Sequence, residues 1–322
     1  MMKKLVFCLA GIVLCQGLMP AQTSGQANPT AYVLGFSTYL SHTDKYAARF
    51  SIFTDDGGCT YISGTTRDNN FPATKGAYQT ALKGEADAFV AKLAQDGKII
   101  FATLIGGSKR EHHTGITVDK QGFIYLVGGT HSSNFPVTRG AYDTGFNGEG
   151  EWAGDVYVVK MNPSGSDIVF STFIGGKVED TANQIGIDSK GNIIIAGCTC
   201  SADFPATDGV IDGQYTKQDC FISKISPDGD KLLFSTSLGN GLYEMVTGLA
   251  IDDRDNIYAT GFTFAADLPV TANAHRKNMI KPKVRGYEGG GDHFLAKINE
   301  SGTKILYLSY FAAGGNLGSN LS

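Results

Sequence analysis

This sequence of 322 residues has little excess of either charge, few long apolar segments and a single tryptophan. The formal net charge is -4, and neither a basic stripe nor a long acidic run is present. The electrostatic pattern of a nucleic-acid-binding protein is therefore missing, which argues against that class of function. Beyond the N-terminus no segment offers the roughly 20 apolar residues that a membrane-spanning helix needs. We therefore expect no nucleic-acid partner and no transmembrane segment in the mature chain.

The first residues have the composition of an export signal. A basic start is followed by a short apolar stretch and then by small and polar residues, which is typical of a signal peptide over residues 1–21. Residues 22–30 are interpreted as a linker. A lipid anchor at Cys15 is the alternative, but Leu14 stands where lipid-attachment signals usually carry a small residue. The prediction is therefore an exported protein that is extracellular, periplasmic or held at the cell surface.

Cysteine is sparse outside this signal, with four residues at 59, 198, 200 and 220. Export permits disulfides. Cys200 ends one predicted strand and Cys220 begins the next, so a Cys200–Cys220 bridge is the preferred pairing, with buried free thiols as the alternative. Cys59 is left unpaired in either case. A Cys-x-Cys pair with one distant cysteine and no nearby histidine is a poor zinc signature.

Glycine, by contrast, is abundant with 42 residues, which is above the usual share of about 7% and indicates many tight turns. The most informative feature is a sequence unit that occurs four times. The segment Asp155-Val-Tyr-Val-Val-Lys160 returns in similar form at residues 87–92, 219–224 and 292–297. Such self-similarity predicts a propeller, solenoid or array, because one unit cannot bury its own apolar face.

Each unit has the pattern of four consecutive antiparallel strands. In the second unit, two β-branched and aromatic runs at 115–119 and 123–130 are joined by a tight turn, in which Gly122 supplies a positive φ. A second hairpin follows over 155–174. In the fourth unit Asp255 must take the conformation of the glycine, at some cost. No segment shows helical periodicity, so the pattern predicts an all-β propeller of four-stranded blades.

The repeat also predicts how the chain is divided. A propeller domain is expected over residues 31–322, and a surplus strand at 31–40 precedes the first complete blade. Because the fourth blade already has its own outer strand, we predict an incomplete ring that further repeats beyond Ser322 would continue; a compact four-bladed ring is the alternative. The predicted blades span about 48–106, 107–175, 176–239 and 240–312.

The concatenated motifs resemble a known family. In order along the unit they are D-x-F-V-x-K, F-S-T-x-I-G-G, I-x-V-D-x-x-G-x-I-Y-x-x-G-x-T and x-F-P-x-T. This combination resembles the SBBP family, the seven-bladed β-propeller-type repeat of secreted and surface bacterial proteins, over about residues 32–318. The resemblance implies a propeller fold and an extracellular setting, and it supplies no catalytic residue to carry over.

Three acidic residues align in the loops that lead into the innermost strands, namely Glu111, Asp180 and Glu244. Three converging carboxylates would suit Ca²⁺, which prefers oxygen ligands. The alternative is that each carboxylate caps loop amides or is solvated at the channel rim. No other cofactor is expected.

One repeat departs from the others in a way that suggests chemistry. His112 and His113 lie beside Arg110 in the second unit alone. A histidine flanked by arginine could act as a general acid or base, although adjacent histidines on a strand point apart. The long connections also vary, and Trp152, Arg276 and Lys277 are candidates for contact with a sugar or an anionic glycan.

These observations favour a secreted or cell-surface propeller that acts as a non-enzymatic binding or scaffolding module. Its ligand would be a glycan or a protein, bound through variable loops. The alternative is a carbohydrate-active enzyme, a polysaccharide lyase or hydrolase, with chemistry near His112 and His113.

Overall fold

The structure is a computed structural model that describes the backbone of residues 5–9, 12–17 and 33–39 and most of the chain from residue 50 onward. The described ranges there are 50–148, 150, 153–215, 218–239, 243–280 and 291–311, without the side chains of His113 and Thr114. Within these ranges the chain forms nineteen β-strands and no helix. The all-β prediction is therefore confirmed.

The first three strands form a sheet of their own. They are β1 (Leu5–Leu9), β2 (Ile12–Gly17) and β3 (Val33–Tyr39), in the antiparallel order β1-β2-β3. The surplus strand predicted at 31–40 is thus present as β3, but it pairs with β2 and not with a blade. The export signal at 1–21 stays a prediction.

The remaining sixteen strands form four antiparallel sheets of four strands each, in sequence order, which we call blades 1 to 4. Blade 1 contains β4 (Ser51–Thr54), β5 (Thr60–Thr66), β6 (Asp87–Leu93) and β7 (Ile99–Ile105). Blade 2 contains β8 (Glu111–Val118), β9 (Ile124–Thr130), β10 (Asp155–Met161) and β11 (Ile168–Ile174). Blade 3 contains β12 (Asp180–Ile187), β13 (Ile193–Thr199), β14 (Asp219–Ile225) and β15 (Leu232–Ser237). Blade 4 contains β16 (Glu244–Ile251), β17 (Ile257–Thr263), β18 (Asp292–Ile298) and β19 (Ile305–Tyr310).

The hairpin between the first two strands of each blade has the predicted chemistry. Asp119 accepts hydrogen bonds from the amides of Gln121 and Phe123, both at 2.9 Å, and Gly122 has a φ of 86°. In blade 4 Asp255 takes the position of the glycine with a φ of 61°. The expectation of a residue forced into the left-handed region is confirmed there.

Each blade packs an apolar face against the next blade. We call the interface between blades 1 and 2 junction 1, that between blades 2 and 3 junction 2, and that between blades 3 and 4 junction 3. One large apolar cluster fills each junction. The first strands β8, β12 and β16 pack side by side and so form the inner edge of the arc. Among the described residues, no extensive contact joins the strands of blade 4 to those of blade 1. The four blades therefore form a row in which each one packs on its sequence neighbours.

Candidate functional site

The three carboxylates predicted to bind Ca²⁺ begin the three inner strands. Glu111, Asp180 and Glu244 are 1%, 0% and 0% exposed. The threonine that ends the second strand of the same blade donates to each of them: to Glu111 at 2.9 Å, to Glu244 at 3.1 Å and, in blade 3, to Asp180. A backbone amide also donates to Asp180, from Gly176 at 2.7 Å. These carboxylates therefore accept hydrogen bonds from nearby hydroxyl and amide groups, as the alternative interpretation of the sequence predicted.

The predicted three-carboxylate metal site is wrong. In the described part of the chain, no group of three or more histidine, cysteine, aspartate or glutamate residues is arranged to hold a metal ion. The physical reason is that the repeat places one such acid in each of three blades. Glu111 and Asp180 each lie at a different junction, where hydroxyl and amide groups donate to them and an aspartate of the preceding blade lies nearby, so they do not converge on a common centre.

A second acid, which begins the third strand of every blade, has a role that sequence reasoning missed. Asp87, Asp155 and Asp292 are buried. The amides of the preceding long connection donate to them, from Lys83 to Asp87 at 2.9 Å and from Asn147 to Asp155 at 2.8 Å. Its presence in all four repeats was the available signal, since a residue needed by each blade points to structure.

The two kinds of acid meet across the junctions beside a glycine. A Cβ at Gly106 would lie 2.6 Å from Oδ1 of Asp87 and 2.6 Å from Oε2 of Glu111. Burial raises the pKa of Glu111 to about 7, with the like charge of Asp87 as a further cause. Only a residue without a side chain fits between these carboxyls.

At junction 2, Gly175 takes the equivalent place between Asp155 and Asp180. Burial raises the pKa of Asp155 to about 6 and that of Asp180 to about 7. Two of the three junctions thus share the same pair of buried acids with raised pKa values. These groups serve the packing of blades and are not open to a ligand.

At the end of the blades where the inner strands β8, β12 and β16 begin, the side chains differ from blade to blade. We call this end the inner rim and define it by three residues in each of blades 2, 3 and 4. In every case the third residue donates its amide to the carbonyl of the first, so the backbone repeats while the side chains change. The nine residues are Arg110, His112 and His131, then Glu179, Thr181 and Cys200, then Tyr243, Met245 and Phe264.

In blade 2 the inner rim is cationic and aromatic. Arg110 and His112 approach within 3.4 Å between the guanidinium Nη2 and the imidazole Nδ1. The rings of His112 and His131 meet edge to face with centroids 5.0 Å apart. All three side chains are half-buried. The predicted cluster therefore exists. His131 also belongs to it, and the sequence alone did not reveal this because His131 follows the end of β9, almost twenty residues after His112.

In blade 4 the inner rim is an aromatic cluster. The Tyr243 ring stacks on Phe262 with centroids 5.5 Å apart and meets Phe264 edge to face at 5.7 Å. Tyr243 is 41% exposed. Sequence reasoning missed this cluster, although alignment of Tyr243 with Arg110 would have indicated it.

The remaining predicted ligand residues are scattered. Arg276 is paired with the buried carboxylate of Asp292 and so is not available to a glycan, which corrects that prediction. Lys277 is exposed and stays a candidate. Trp152 and the side chain of His113 lie outside the described residues.

The predicted Cys200–Cys220 disulfide does not form. Cys59, Cys198, Cys200 and Cys220 are all free thiols. The register of β13 and β14 places Cys198, and not Cys200, opposite Cys220. The Cys220 thiol instead donates to the carbonyl of Leu238 at 2.7 Å. The alternative of free thiols describes these residues.

A cleft of about 540 Å³ opens at the outer part of junction 3. It is lined in part by Ile211, Leu238, Pro269 and Ile305. At the two other junctions the residue equivalent to Ile211 is a tyrosine, Tyr78 or Tyr142, which packs on the apolar cluster.

The described part of the chain contains no helix capable of crossing a membrane.

Comparison with known proteins places the repeat. No curated protein sequence matches the chain. Among solved structures, a protein of unknown function from Dyadobacter fermentans is similar at 10% identity, over 94% of this chain and 73% of its own, with a TM-score of 0.45. An ulvan lyase of polysaccharide lyase family PL25 is similar at 9% identity, over 94% and 69%, with a TM-score of 0.44.

A bifunctional GH43-CE protein from Bacteroides eggerthii is similar at 10% identity, over 98% of this chain and 36% of its own, with a TM-score of 0.41. The family profile gives the more specific result. The SBBP β-propeller repeat matches residues 100–136, which run from β7 through the first hairpin of blade 2. With four sheets of four antiparallel strands each, this chain has a β-propeller fold, and its residues 100–136 are similar to the SBBP β-propeller repeat.

Proposed function

We propose that this protein is an exported β-propeller that binds an anionic glycan at the inner rim and does not catalyse a reaction. The proposal depends on one observation at the inner rim: the backbone hydrogen bond is the same in blades 2, 3 and 4, but the side chains differ. Blade 2 offers Arg110 and His112 to an acidic group, and blade 4 offers the exposed ring of Tyr243 to a sugar face. Cationic and aromatic side chains together suit an acidic sugar.

The buried acids next to the rim support binding over catalysis, and Glu179, at the rim itself, is a single half-buried carboxylate. Cleavage of glycosidic bonds by hydrolases normally uses two carboxyl groups that reach the substrate. Glu111 and Asp180 are the acids that begin the inner strands next to the rim, and both are buried and hydrogen-bonded within their blades. Their side chains are therefore occupied in holding the fold.

Calorimetric titration with a polyuronate and with a sulfated polysaccharide tests the proposal. Binding should weaken at least tenfold in the Arg110→Ala and Tyr243→Ala variants. It should also weaken with added salt, because exposed charge pairs are screened. Lys98→Ala, which removes an exposed cation in the turn between β6 and β7, serves as the matched control. Unchanged affinity in both rim variants would contradict the proposal.

A lyase or hydrolase is the second candidate, and the contact between Arg110 and His112 is the observation that favours it. In this case acidic polysaccharides would be shortened on incubation, and His112→Ala would lose turnover while retaining binding. The same polysaccharides distinguish the two candidates: retention without shortened products supports a binding module, and shortened products that disappear with His112→Ala support an enzyme.

Export and continuation of the row of blades complete the proposal. The face of blade 4 that points away from blade 3 leaves Thr260 exposed and Leu295 half-buried, whereas the equivalent Val127 and Val158 of blade 2 are buried by blade 3. A further propeller repeat is the partner that we propose for this face.

Mass spectrometry of the protein recovered outside the cytoplasm tests cleavage after residue 21. Solution scattering with and without added repeats tests the continuation.

A further inference from the structure

Two buried carboxyl oxygens, one at junction 1 and one at junction 2, accept no hydrogen bond in the described structure. They are Oε2 of Glu111 and Oδ1 of Asp155. Both residues are 1% exposed, so water outside the protein does not solvate these atoms. An ionised carboxylate with an unsatisfied oxygen in such a place is costly.

Each of these oxygens faces the carboxyl of the other acid across the junction. Beside Gly106, Oε2 of Glu111 and Oδ1 of Asp87 approach the same point from two blades. Beside Gly175, a Cβ would lie 2.5 Å from Oδ1 of Asp155 and 3.0 Å from Oδ2 of Asp180. Two negative charges cannot both be retained at low cost in this arrangement.

We propose that each of these two acid pairs holds one proton between its carboxyls, so that blades 1, 2 and 3 are joined by a protonated acid pair at each junction. The proton turns the unsatisfied oxygen into a donor toward the opposite carboxylate. No bond other than the O–H bond is made or broken, and the proton exchanges with solvent.

Hydrogen-bond donors indicate which acid carries the proton. At junction 1 both carboxyl oxygens of Asp87 accept hydrogen bonds, from the side chain of Gln79 and from the amides of Lys83 and Gly84. Glu111 accepts only at Oε1, and its Oε2 accepts none. Glu111 then carries the proton, in agreement with a pKa raised by burial to about 7.

At junction 2 Asp180 accepts from Thr199, Ser201 and the amide of Gly176. Asp155 has backbone amides as its donors, beginning with that of Asn147. The proton is therefore assigned to Asp155, with a pKa raised to about 6, although burial raises the pKa of Asp180 further, to about 7.

The other titratable groups around the pairs do not supply a compensating positive charge. Glu111 lies near the buried hydroxyl of Tyr157 and near Asp87. Asp143 acts on Asp155, and Asp180 acts on the thiols of Cys198 and Cys200. Each of these groups is neutral or negative.

The sign of the pH effect follows from the raised values. A carboxyl whose pKa is higher in the folded than in the unfolded chain contributes stability that is fully present below the unfolded pKa. This contribution is lost as pH rises through the folded value. Stability should therefore fall between about pH 4 and about pH 7, as Asp155 loses its proton near pH 6 and Glu111 near pH 7.

Thermal unfolding of the full chain between about pH 5 and pH 8 tests the proposal, with an expected fall in Tm of about 10 °C for the unaltered protein. Glu111→Gln and Asp155→Asn replace the protonated acids with neutral isosteres, so each should reduce this fall and together they should nearly abolish it. Asp253→Asn, which removes an exposed turn acid, is the matched control and should leave the fall unchanged.

Infrared spectra at about pH 6 provide a second measurement, because a protonated carboxyl has its own carbonyl band. This band should be present in the unaltered protein and absent from the double variant. Absence of the band from the unaltered protein would overturn the proposal, as would an undiminished fall in Tm in the double variant. Millimolar Ca²⁺ that raised the Tm at pH 8 in the unaltered protein alone would also overturn it, since a cation would then occupy the place of the proton.

Discussion

The guanidinium of Arg276 lies against the buried carboxylate of Asp292, and this ion pair ties the long connection of blade 4 to the start of β18. In blade 1 the equivalent pair is Gln79 and Asp87, joined by an amide donor. The same place in the fold is thus filled by a cation in one blade and by a neutral donor in another.

Replacement of Arg276 by alanine should destabilise the protein by about 3–5 kcal/mol, because it leaves the charge of Asp292 buried without its partner. Arg276→Gln should cost much less, since glutamine performs this role in blade 1. Urea unfolding measures both, with Lys277→Ala as a control that should change the free energy of unfolding by no more than about 0.5 kcal/mol. Equal losses for the alanine and glutamine variants would contradict the interpretation.

A methyl group at Gly106 should destabilise junction 1. The added Cβ would lie 2.5 Å from Cγ of Asp87 and 2.6 Å from Oε2 of Glu111, so the blades must move apart. A cost of about 1–3 kcal/mol is expected for such overpacking. Gly213→Ala is the control, because its nearest neighbour would be 3.5 Å away. The free energy of unfolding of the two variants, measured under identical conditions, provides the comparison.

The cleft at junction 3 should accept a larger side chain. Ile211→Tyr introduces the residue that packs at the equivalent positions 78 and 142, and should stabilise the protein by about 1 kcal/mol through added apolar burial. Tyr142→Ile should have the opposite effect at junction 2. A loss of stability in Ile211→Tyr would show that the cleft is not shaped for a ring.

Asp255 combines a strained backbone with a contact between blades. Its φ of 61° is unfavourable for an L-residue, yet its carboxylate accepts from the amide and hydroxyl of Ser189 in blade 3, at 2.8 and 2.7 Å. Asp255→Gly relieves the strain but removes both hydrogen bonds, so a net loss of about 1 kcal/mol is expected. Asp255→Ala removes both hydrogen bonds and retains the strain, and should cost more. Thermal unfolding would show the order of the two variants.

The fold was predictable because each strand signal occurs four times. The turn formed by Asp119 and Gly122 and the strand that begins at Asp155 are short patterns that alone would be weak. Their repetition at a constant spacing indicates four-stranded sheets that pack on one another. The position of Asp255 in the left-handed region also followed from local turn chemistry.

The site was less predictable, because a repeat shows where residues align and not where their side chains point. Glu111 and Asp180 align at the rim but turn inward, so the metal site inferred from alignment was wrong. Cys200 and Cys220 are close in topology, yet the register of β13 and β14 places Cys198, two residues before Cys200, opposite Cys220. Charge pairing between Arg276 and Asp292 depends on the path of a long connection, which local patterns do not encode.

Packing of each blade only on its neighbours has a consequence for how the molecule comes apart. Such a chain has nearest-neighbour coupling, so its outermost units can melt while the middle ones persist. Hydrogen exchange should then show graded protection along the row, with amides of blade 3 slower than those of blade 4. The architecture makes unfolding a progressive event that starts at an end and moves inward.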